Sequence, residues 1–266
     1  MPRCLIVLLL VLAILGADAA QSPTTTPAAS GAAFYPRGRD RPHKYEILDE
    51  VVRYSGWRRV VRRSVVDRRR AARGKKVVEY DVIDHANSSS GGAVVVFAWN
   101  STSRTATIVR EYMPGPHRVL CGLAAGIVED DGKHSEGGGG GTSSASGSEM
   151  SSSSSSLVAA RFELEEECHL AGGTWYRLTD EGVSVPMDKY VVTEITPYLV
   201  IDAEHVPDPR PLDDEEDIEI VRGVTAAEIL RMIREGDFNL VGGWGALLAL
   251  EKLRELVGPR SRSSPG

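Results

Sequence analysis

The sequence predicts a layered fold of the α/β or α+β class, in which helices pack against a sheet. Two groups of short apolar segments have the composition of strands, namely 77–83 with 93–99 and, later, 190–201 with 218–222. Helical patterns separate and follow these groups, at 157–170, 225–235 and 245–257. With 266 residues, of which 42% are hydrophobic, the chain is long enough to bury a core.

Composition argues against several classes of protein. Aromatic residues make up only 6% of the chain and there are three cysteines, which fits neither an aromatic nucleic-acid platform nor a disulfide-rich scaffold. The net charge is -6, yet residues 36–76 hold fifteen Lys or Arg against five Asp or Glu. That basic window could meet a phosphate-rich partner. Within it, the stretch from Arg58 to Lys76 is a candidate contact for an anionic membrane or a nucleic acid, or simply a solvated strand and turn. Because the rest of the chain is strongly acidic, we expect no nucleic-acid partner.

The first twenty residues have the pattern of a cleaved signal peptide. One arginine precedes twelve apolar residues, from Cys4 to Leu15, and small residues follow up to Ala20. As a helix this run spans only ~18 Å, against ~30 Å for the hydrocarbon core of a bilayer. We therefore expect residues 1–20 to be removed after targeting to the secretory pathway. The mature chain would be secreted or lumenal, without a membrane contact.

Residues 21–44 precede the folded part. The stretch 21–39 contains no acid, is rich in Ser, Thr, Pro and Ala, and then becomes basic, which is typical of a disordered linker or of a transit peptide. The run GAAFYP within it resembles the presequences of algae with complex plastids. A plastid is therefore the alternative destination.

The first strand group predicts a hairpin. Residues 45–66 mix Val and Arg without a clean helical or strand period. The segment 77–83 alternates as a half-exposed strand does, whereas 93–99 is apolar throughout and predicts a buried strand. A turn-like break at Asn100 and Ser101 leads to a further strand at 105–109.

A Gly- and Ser-rich tract interrupts the domain. It contains five consecutive glycines, 137–141, and six consecutive serines, 151–156. Such a tract buries too little apolar surface to offset its conformational entropy, so we expect a mobile loop over 137–156. It has no Lys and Ser or Thr in the pattern of a phosphate-binding glycine loop.

The carboxy-terminal helices have local start and stop signals. Thr225 with Glu228 forms a capping box, and Gly236 is the stop, which predicts a helix over 225–235. A second helix is predicted from Gly245 to Val257, with Gly258 and Pro259 after it.

The segment 157–170 carries the candidate chemistry. On a helix, Leu157, Ala160, Leu164 and Cys168 form an apolar stripe, and Glu163, Glu166 and Glu167 lie beside it on neighbouring positions. Carboxylates held that close repel one another by about 1 kcal/mol per pair at a surface dielectric, and a divalent cation removes the repulsion. Oxygen ligands of this kind suit Mg²⁺ or Mn²⁺. The alternative is a solvated acidic helix face.

The residues around this helix resemble the Nudix hydrolase family. Gly126 is similar to the glycine that opens the family's box, and FELEEECHL at 162–170 is similar to its second half. VREYMPGP at 109–116 and the stretch 198–256 are similar to the ADP-ribose and ADP-sugar pyrophosphatase subgroup. The resemblance implies an α/β/α sandwich with a central mixed sheet over 45–258, followed by a tail at 259–266. It also implies Mg²⁺- or Mn²⁺-dependent hydrolysis of a nucleotide sugar, such as ADP-ribose or an ADP-sugar, to AMP and a sugar phosphate.

The resemblance also suggests roles for particular residues. Glu163, Glu166 and Glu167 would bind the metal, and Glu166 and Glu167 would take part in catalysis. In the subgroup a general base often lies on a later acidic loop. The run 213–217 supplies five candidates, of which we favour Glu215 and Glu216, and the alternative is that this run is only a solvated loop. Arg110 and Gly126 would contact the substrate. Tyr54 and Trp57 lie in a segment that helps to stack a base across a homodimer in the subgroup, although they would equally suit packing.

The chain departs from the box at several positions. Phe162 stands where the family has an arginine that pairs with a metal-binding glutamate, and His169 stands where it has glycine. Gly132 occupies the place of the first box glutamate, for which Glu129, Glu136 and Glu149 are substitutes, and Ala124 stands where proline is usual. A catalytically impaired, nucleotide-binding module on the same scaffold is therefore the alternative function.

Two features depend on the secretory pathway. After signal removal Cys121 and Cys168 remain, and one disulfide between them is permissible but does not follow from their number. Asn87 and Asn100 each begin a glycosylation sequon.

Overall fold

The computed structural model describes residues 44–56, 58–69, 76–85, 92–128, 152–212 and 217–257. Several sequence predictions lie outside these residues: the signal peptide, the linker up to residue 43, the glycine run, Trp57, Asn87, Gly132 with its possible substitutes, Glu215, Glu216 and the tail. The chain from Tyr45 onward clusters as one compact unit. Within the described ranges, the helices are too short or too polar to cross a membrane.

The unit begins with an antiparallel sheet of three strands: β1 (Tyr45–Ser55), β2 (Arg58–Asp67) and β3 (Val77–His85). Residues 45–66 therefore form two strands, although their sequence shows no clean strand period. The arginines of β2 pair across the strands instead of alternating with a buried face: Arg62 Nε lies 3.0 Å from Asp81 Oδ1, and Arg63 Nε lies 2.6 Å from Glu50 Oε1. Charge pairing replaces the apolar alternation by which a half-buried strand is recognised.

The central sheet is mixed. Its main strands are β4 (Gly92–Asn100), β5 (Thr105–Met113), β10 (Val185–Pro186), β11 (Glu194–Ile201) and β13 (Ile218–Thr225), in the order β10-β11-β4-β5-β13. β11 runs parallel to β4 and the other pairings are antiparallel. Shorter strands extend this sheet: β6 (Arg118–Gly122) pairs with β5, β7 (Ala124–Ile127) with β4, and β9 (Thr174–Arg177) with β11. A separate pair consists of β8 (Leu170–Ala171) and β12 (Glu204–His205).

Helices cover both faces of this sheet. They are α1 (Ser152–Cys168), α2 (Ala226–Glu235) and α3 (Leu240–Val257). Alternate residues of β4 point to opposite sides: Val94 and Val96 belong to the apolar cluster that includes α1, whereas Val95 and Phe97 belong to the cluster that includes α2 and α3. A strand buried on both faces is apolar throughout, as predicted for 93–99. The predicted α/β/α sandwich with a central mixed sheet is confirmed.

Strand boundaries in the second group differ from the prediction. The strand predicted at 190–201 begins only at Glu194, because the preceding residues bond to β3 instead. Ile83 N donates to Tyr190 O at 2.8 Å, and Val192 N donates to Ile83 O at 3.1 Å. The strand predicted at 218–222 continues to Thr225.

α1 begins earlier than the loop prediction allowed. Ser152 to Ser156 form its first turns, although we expected the loop to extend to residue 156. The buried Ser156 hydroxyl lies 2.8 Å from the Tyr198 hydroxyl on β11, so tertiary packing continues a helix that Ser propensity alone does not favour. The predicted stripe faces the sheet: Ala160, Leu164 and Cys168 are buried, and Leu157 packs partly against the same cluster.

The carboxy-terminal helices have the predicted signals. Thr225 Oγ1 accepts from Glu228 N at 3.3 Å and the Glu228 carboxylate accepts from Thr225 N at 2.8 Å, which is the predicted capping box. Gly236 ends α2 with a φ of 77°. α3 starts at Leu240 rather than Gly245, because Asn239 Oδ1 accepts from Gly242 N at 2.6 Å and caps an extra turn.

The two described cysteines are free and buried. Cys121 lies in the cluster on the α2 and α3 side of the sheet, whereas Cys168 lies in the cluster on the α1 side. The sheet therefore separates the two thiols, and the permitted disulfide does not form. Of the two sequons, the one at Asn100 lies at the exposed end of β4, where the Asn100 Oδ1 accepts from Thr102 N and Ser103 N in the turn that follows.

Candidate active site

The candidate site is the acidic face of α1 and the backbone of β7 beside it. Leu164 anchors the helix with a fully buried side chain, and such burial contributes about 1.5–3 kcal/mol. Glu163 precedes this anchor by one residue, and Glu166 and Glu167 follow it by two and three. The three glutamates share one helix but have different surroundings.

Glu163 lies directly against Gly126 of β7. A Cβ at position 126 would lie 1.7 Å from Glu163 Oε1 and 2.1 Å from its carboxyl carbon. Real side chains essentially never approach that closely, so glycine is required for Glu163 to keep this position. Gly126 therefore shapes the site through the space that it leaves.

Glu167 is the buried member of the three, with only 5% of its surface exposed. Its Oε2 accepts a hydrogen bond of 3.0 Å from Ala125 N of β7. A buried carboxylate requires such donors to offset its lost hydration. Burial, followed by the neighbouring charge of Glu167, raises the pKa of the Cys168 thiol.

Glu166 faces a cation that comes from elsewhere in the chain. Arg210, in the segment 206–212 after β12, has its Nη1 3.8 Å from Glu166 Oε1 and its Nε 3.9 Å from Glu165 Oε2. Its guanidinium carbon lies 3.8 Å from the centre of the Phe162 ring. A partly exposed cation–π contact contributes about 0.5–1 kcal/mol and an exposed ion pair about 0–1 kcal/mol.

His169 ends α1 in a left-handed conformation. Its φ is 55°, which glycine adopts without strain and a histidine does not. Its N–H donates to Glu165 O at 3.0 Å, and its carbonyl accepts from Val206 N at 2.9 Å and from His205 Nδ1 at 3.2 Å. Histidine thus makes the left-handed turn at the end of α1, and this turn directs the chain into β8.

The donor chemistry of the site suits a hard divalent cation. Mg²⁺ is commonly held by one or two carboxylates together with substrate phosphates and water. Glu163 and Glu167 supply two carboxylates beside Gly126 and Ala125, so the residues present fit such an ion. Among the residues that the structure describes, however, no three His, Cys, Asp or Glu side chains converge closely enough to hold a metal by themselves. Oxygens of the substrate would have to complete the shell.

The remaining predicted site residue, Arg110, lies on the other face of the sheet. It is paired in register with Cys121, which belongs to the α2 and α3 side. Its Nη1 is 2.9 Å from Glu219 Oε2 on β13. The next residue, Glu111, faces the α1 side by strand alternation, and burial raises the pKa of its carboxyl.

Two cavities lie away from the acidic face. One, of about 180 Å³, lies on the three-stranded sheet between Arg59, Val61 and Val82. The other, of about 470 Å³, lies beyond the carboxy-terminal end of α1 beside Thr107, Leu170 and Arg222. Arg222 Nη2 donates to Cys168 O at 3.2 Å there, which satisfies one terminal carbonyl of α1.

Comparison with known proteins supports the architecture. No family model matches the chain, and the curated proteins give no match. Among solved structures the chain is similar to a crystal structure of an ADP compounds hydrolase, with a TM-score of 0.56 and 17% sequence identity. The match covers 82% of this chain and 98% of that one. The likeness is one of fold.

Sequence reasoning missed Arg210. No local motif surrounds it, and its contacts with α1 depend on the pairing of β8 with β12, which places 206–212 beside the helix. Glu111 was within reach of sequence reasoning, because the strand period assigns it to the face opposite Arg110.

Proposed function

We propose that the protein hydrolyses the diphosphate of a nucleoside diphosphate linked to a second group, with ADP-ribose or an ADP-sugar as substrate and AMP and a sugar phosphate as products. The observation that carries the proposal is the placement of Glu163 and Glu167 beside the Gly126 end of β7. The motif that the sequence resembles requires carboxylates at this point. The similarity in fold to an ADP compounds hydrolase agrees with it.

Each residue has a defined task in this proposal. Glu163, Glu166 and Glu167 would hold Mg²⁺ or Mn²⁺, which neutralises charge on the diphosphate oxygens when it is bound. Ala125 N–H holds Glu167 in place, and Gly126 leaves the space for Glu163. Glu215 or Glu216 would accept a proton from the attacking water. Arg110 has no task at this site, because it lies on the opposite face of the sheet and pairs with Glu219.

A homodimer is part of the proposal. All eleven residues of β1 are exposed, among them several large apolar side chains. β1 is also the edge of its three-stranded sheet, so its outer backbone groups have no strand beside them among the described residues. Exposed apolar edges of this kind are typical of contacts between chains.

Conservative substitution of the glutamates tests the activity. Glu163→Gln and Glu167→Gln each remove one negative oxygen ligand and are expected to lower the release of AMP from ADP-ribose by at least about 100-fold. Glu166→Gln should also lower it. Glu251→Gln, on an exposed turn of α3, is the matched control and should leave turnover unchanged. Product analysis with and without added Mg²⁺ or Mn²⁺ gives the readout, and full turnover in all three site variants would exclude the site.

The nucleotide-binding module remains the second candidate. It is favoured by Phe162, by His169 and by the lack of a three-ligand cluster within the described residues. Calorimetry separates the two functions. Tight ADP-ribose binding without AMP after prolonged incubation with Mg²⁺ and Mn²⁺ would establish the module, whereas metal-dependent AMP release would establish the hydrolase.

A further inference from the structure

Arg210 contacts the acidic face of α1 in a way that no sequence motif indicates. Its guanidinium lies over the Phe162 ring at 3.8 Å and within 4 Å of carboxylate oxygens of both Glu165 and Glu166. The Arg210 side chain is 42% exposed, whereas those of Glu165 and Glu166 are 26% and 29% exposed. One aromatic ring and two carboxylates therefore surround a single, half-exposed guanidinium.

The aromatic ring makes this arrangement specific for arginine. A guanidinium is planar and delocalised, so it stacks on a ring face and keeps its charge there, whereas an ammonium is a compact, strongly hydrated charge on a flexible stem. The separations from Glu165 and Glu166 are longer than hydrogen bonds. Arg210 thus acts on these carboxylates through its charge and does not occupy their oxygens with short bonds.

We propose that Arg210 is a positioning residue for Glu166 and that Phe162 is the platform that orients its guanidinium. In the box that the sequence resembles, an arginine occupies the position of Phe162. Here the same charge comes from a distant segment and approaches across the ring. This inference rests on the proposed function, because it assigns Arg210 to the metal-binding face.

The backbone explains how Arg210 arrives there. The left-handed turn at His169 leads from α1 into β8, and β8 pairs with β12. Val206 N then donates to the carbonyl of His169 at 2.9 Å, which fixes the start of the segment that carries Arg210. Phe162 and His169 depart from the box together, and the structure shows them as parts of one arrangement.

A charge-relocation experiment tests the assignment on the intact chain. The variants are Arg210→Ala, Arg210→Lys and the double variant Phe162→Arg with Arg210→Ala, with Arg231→Ala on α2 as the control for loss of an exposed, ion-paired arginine. Arg210→Ala is expected to lower kcat about 10- to 100-fold, with a smaller change in KM. Arg210→Lys should remain low because an ammonium does not stack. The double variant should recover most of the lost kcat.

Rescue distinguishes positioning from a merely structural role. If Arg210 only held the loop, an arginine at position 162 would restore nothing. An Arg210→Ala variant with unchanged kcat, or a double variant no better than Arg210→Ala, would overturn the proposal. Circular dichroism of each variant shows that the fold is retained.

A second readout is independent of turnover. The Nε–Hε signal of Arg210 in an NMR spectrum should be displaced by the ring current of Phe162 and should move in Phe162→Leu. Mn²⁺ should broaden this signal more than that of Arg231. If Mn²⁺ broadens the Arg210 signal but no AMP is released, the proposed hydrolase activity is wrong, whereas the placement of Arg210 beside the metal-binding face still holds. AMP release with an Arg210 signal that neither moves nor broadens would refute the role of Arg210 alone.

Discussion

At the scale of single residues, the site depends on small differences in space. Gly126 lies within β7 and Gly115 lies in the turn between β5 and β6, but of the two only Gly126 has a carboxylate where its side chain would be. The sequence around Gly126 resembles the Nudix box, and the structure shows what a glycine does at this position: it leaves the space that the Glu163 carboxylate occupies.

Gly126→Ala is therefore expected to reduce turnover. The added Cβ would lie 1.7 Å from Glu163 Oε1, so the Glu163 side chain must rotate away from β7. Because the displaced atoms are the end of a flexible side chain, the melting temperature should change little while turnover falls by about tenfold or more. Gly115→Ala is the control, since nothing lies within 4 Å of its Cβ position. Equal turnover in the two variants would show that the position of Glu163 is unimportant.

The residue scale also shows where sequence reasoning reaches its limit. The positions of Leu164 and Glu167 on α1 follow from helical spacing, and the structure buries the stripe as predicted. Arg210 does not follow from any spacing, because its place depends on a pairing between two-residue strands. Short strands of that length carry too little pattern to be recognised in a sequence.

At the scale of elements, helix ends were harder to predict than helices. The prediction for α2 was accurate because its capping box and stop glycine are local signals. α1 and α3 begin earlier than predicted, since Ser156 bonds to Tyr198 across the core and Asn239 caps a turn that contains two glycines. The serines in the first turns of α1 and the two glycines in the first turn of α3 are poor helix formers held by their surroundings.

The end of α1 gives a prediction about stability. His169 has a φ of 55°, which costs a non-glycine residue about 1–2 kcal/mol, whereas glycine loses about 0.5–1 kcal/mol more backbone entropy on folding. His169→Gly is therefore expected to increase the free energy of unfolding by about 0.5–1 kcal/mol, measured by urea denaturation. Turnover should be retained, because the left-handed turn remains.

Two comparison variants make this measurement specific. Arg104 has a similar φ of 57° in the exposed β4–β5 turn, so Arg104→Gly should also increase the free energy of unfolding. Thr102 lies in the same turn and does not have a positive φ, so Thr102→Gly should lower the free energy of unfolding. If His169→Gly instead lowers the free energy of unfolding, the contacts of the histidine side chain stabilise the fold by more than its left-handed backbone conformation costs.

For the whole molecule, the fold class could be predicted from the sequence, whereas the amino-terminal sheet of β1, β2 and β3 could not be. β4 is apolar on both faces, which is the mark of a strand between two helical layers. β1 and β2 have no such mark, because cross-strand ion pairs such as Arg63 with Glu50 replace apolar burial. Every residue of β1 is exposed, in contrast to the buried strands of the central sheet.

The exposed edge of β1 leads to the prediction about assembly. Val52 is 51% exposed on this strand, and a charge there would oppose any apolar contact with a second chain. The native protein is expected to sediment at the mass of two chains at micromolar concentration, and Val52→Asp should shift it to one. Leu240→Asp is the matched control, since Leu240 is 83% exposed at the start of α3, and it should not change the mass. If the native protein sediments at the mass of one chain, the homodimer proposal is wrong. Each chain would then have to form its active site alone.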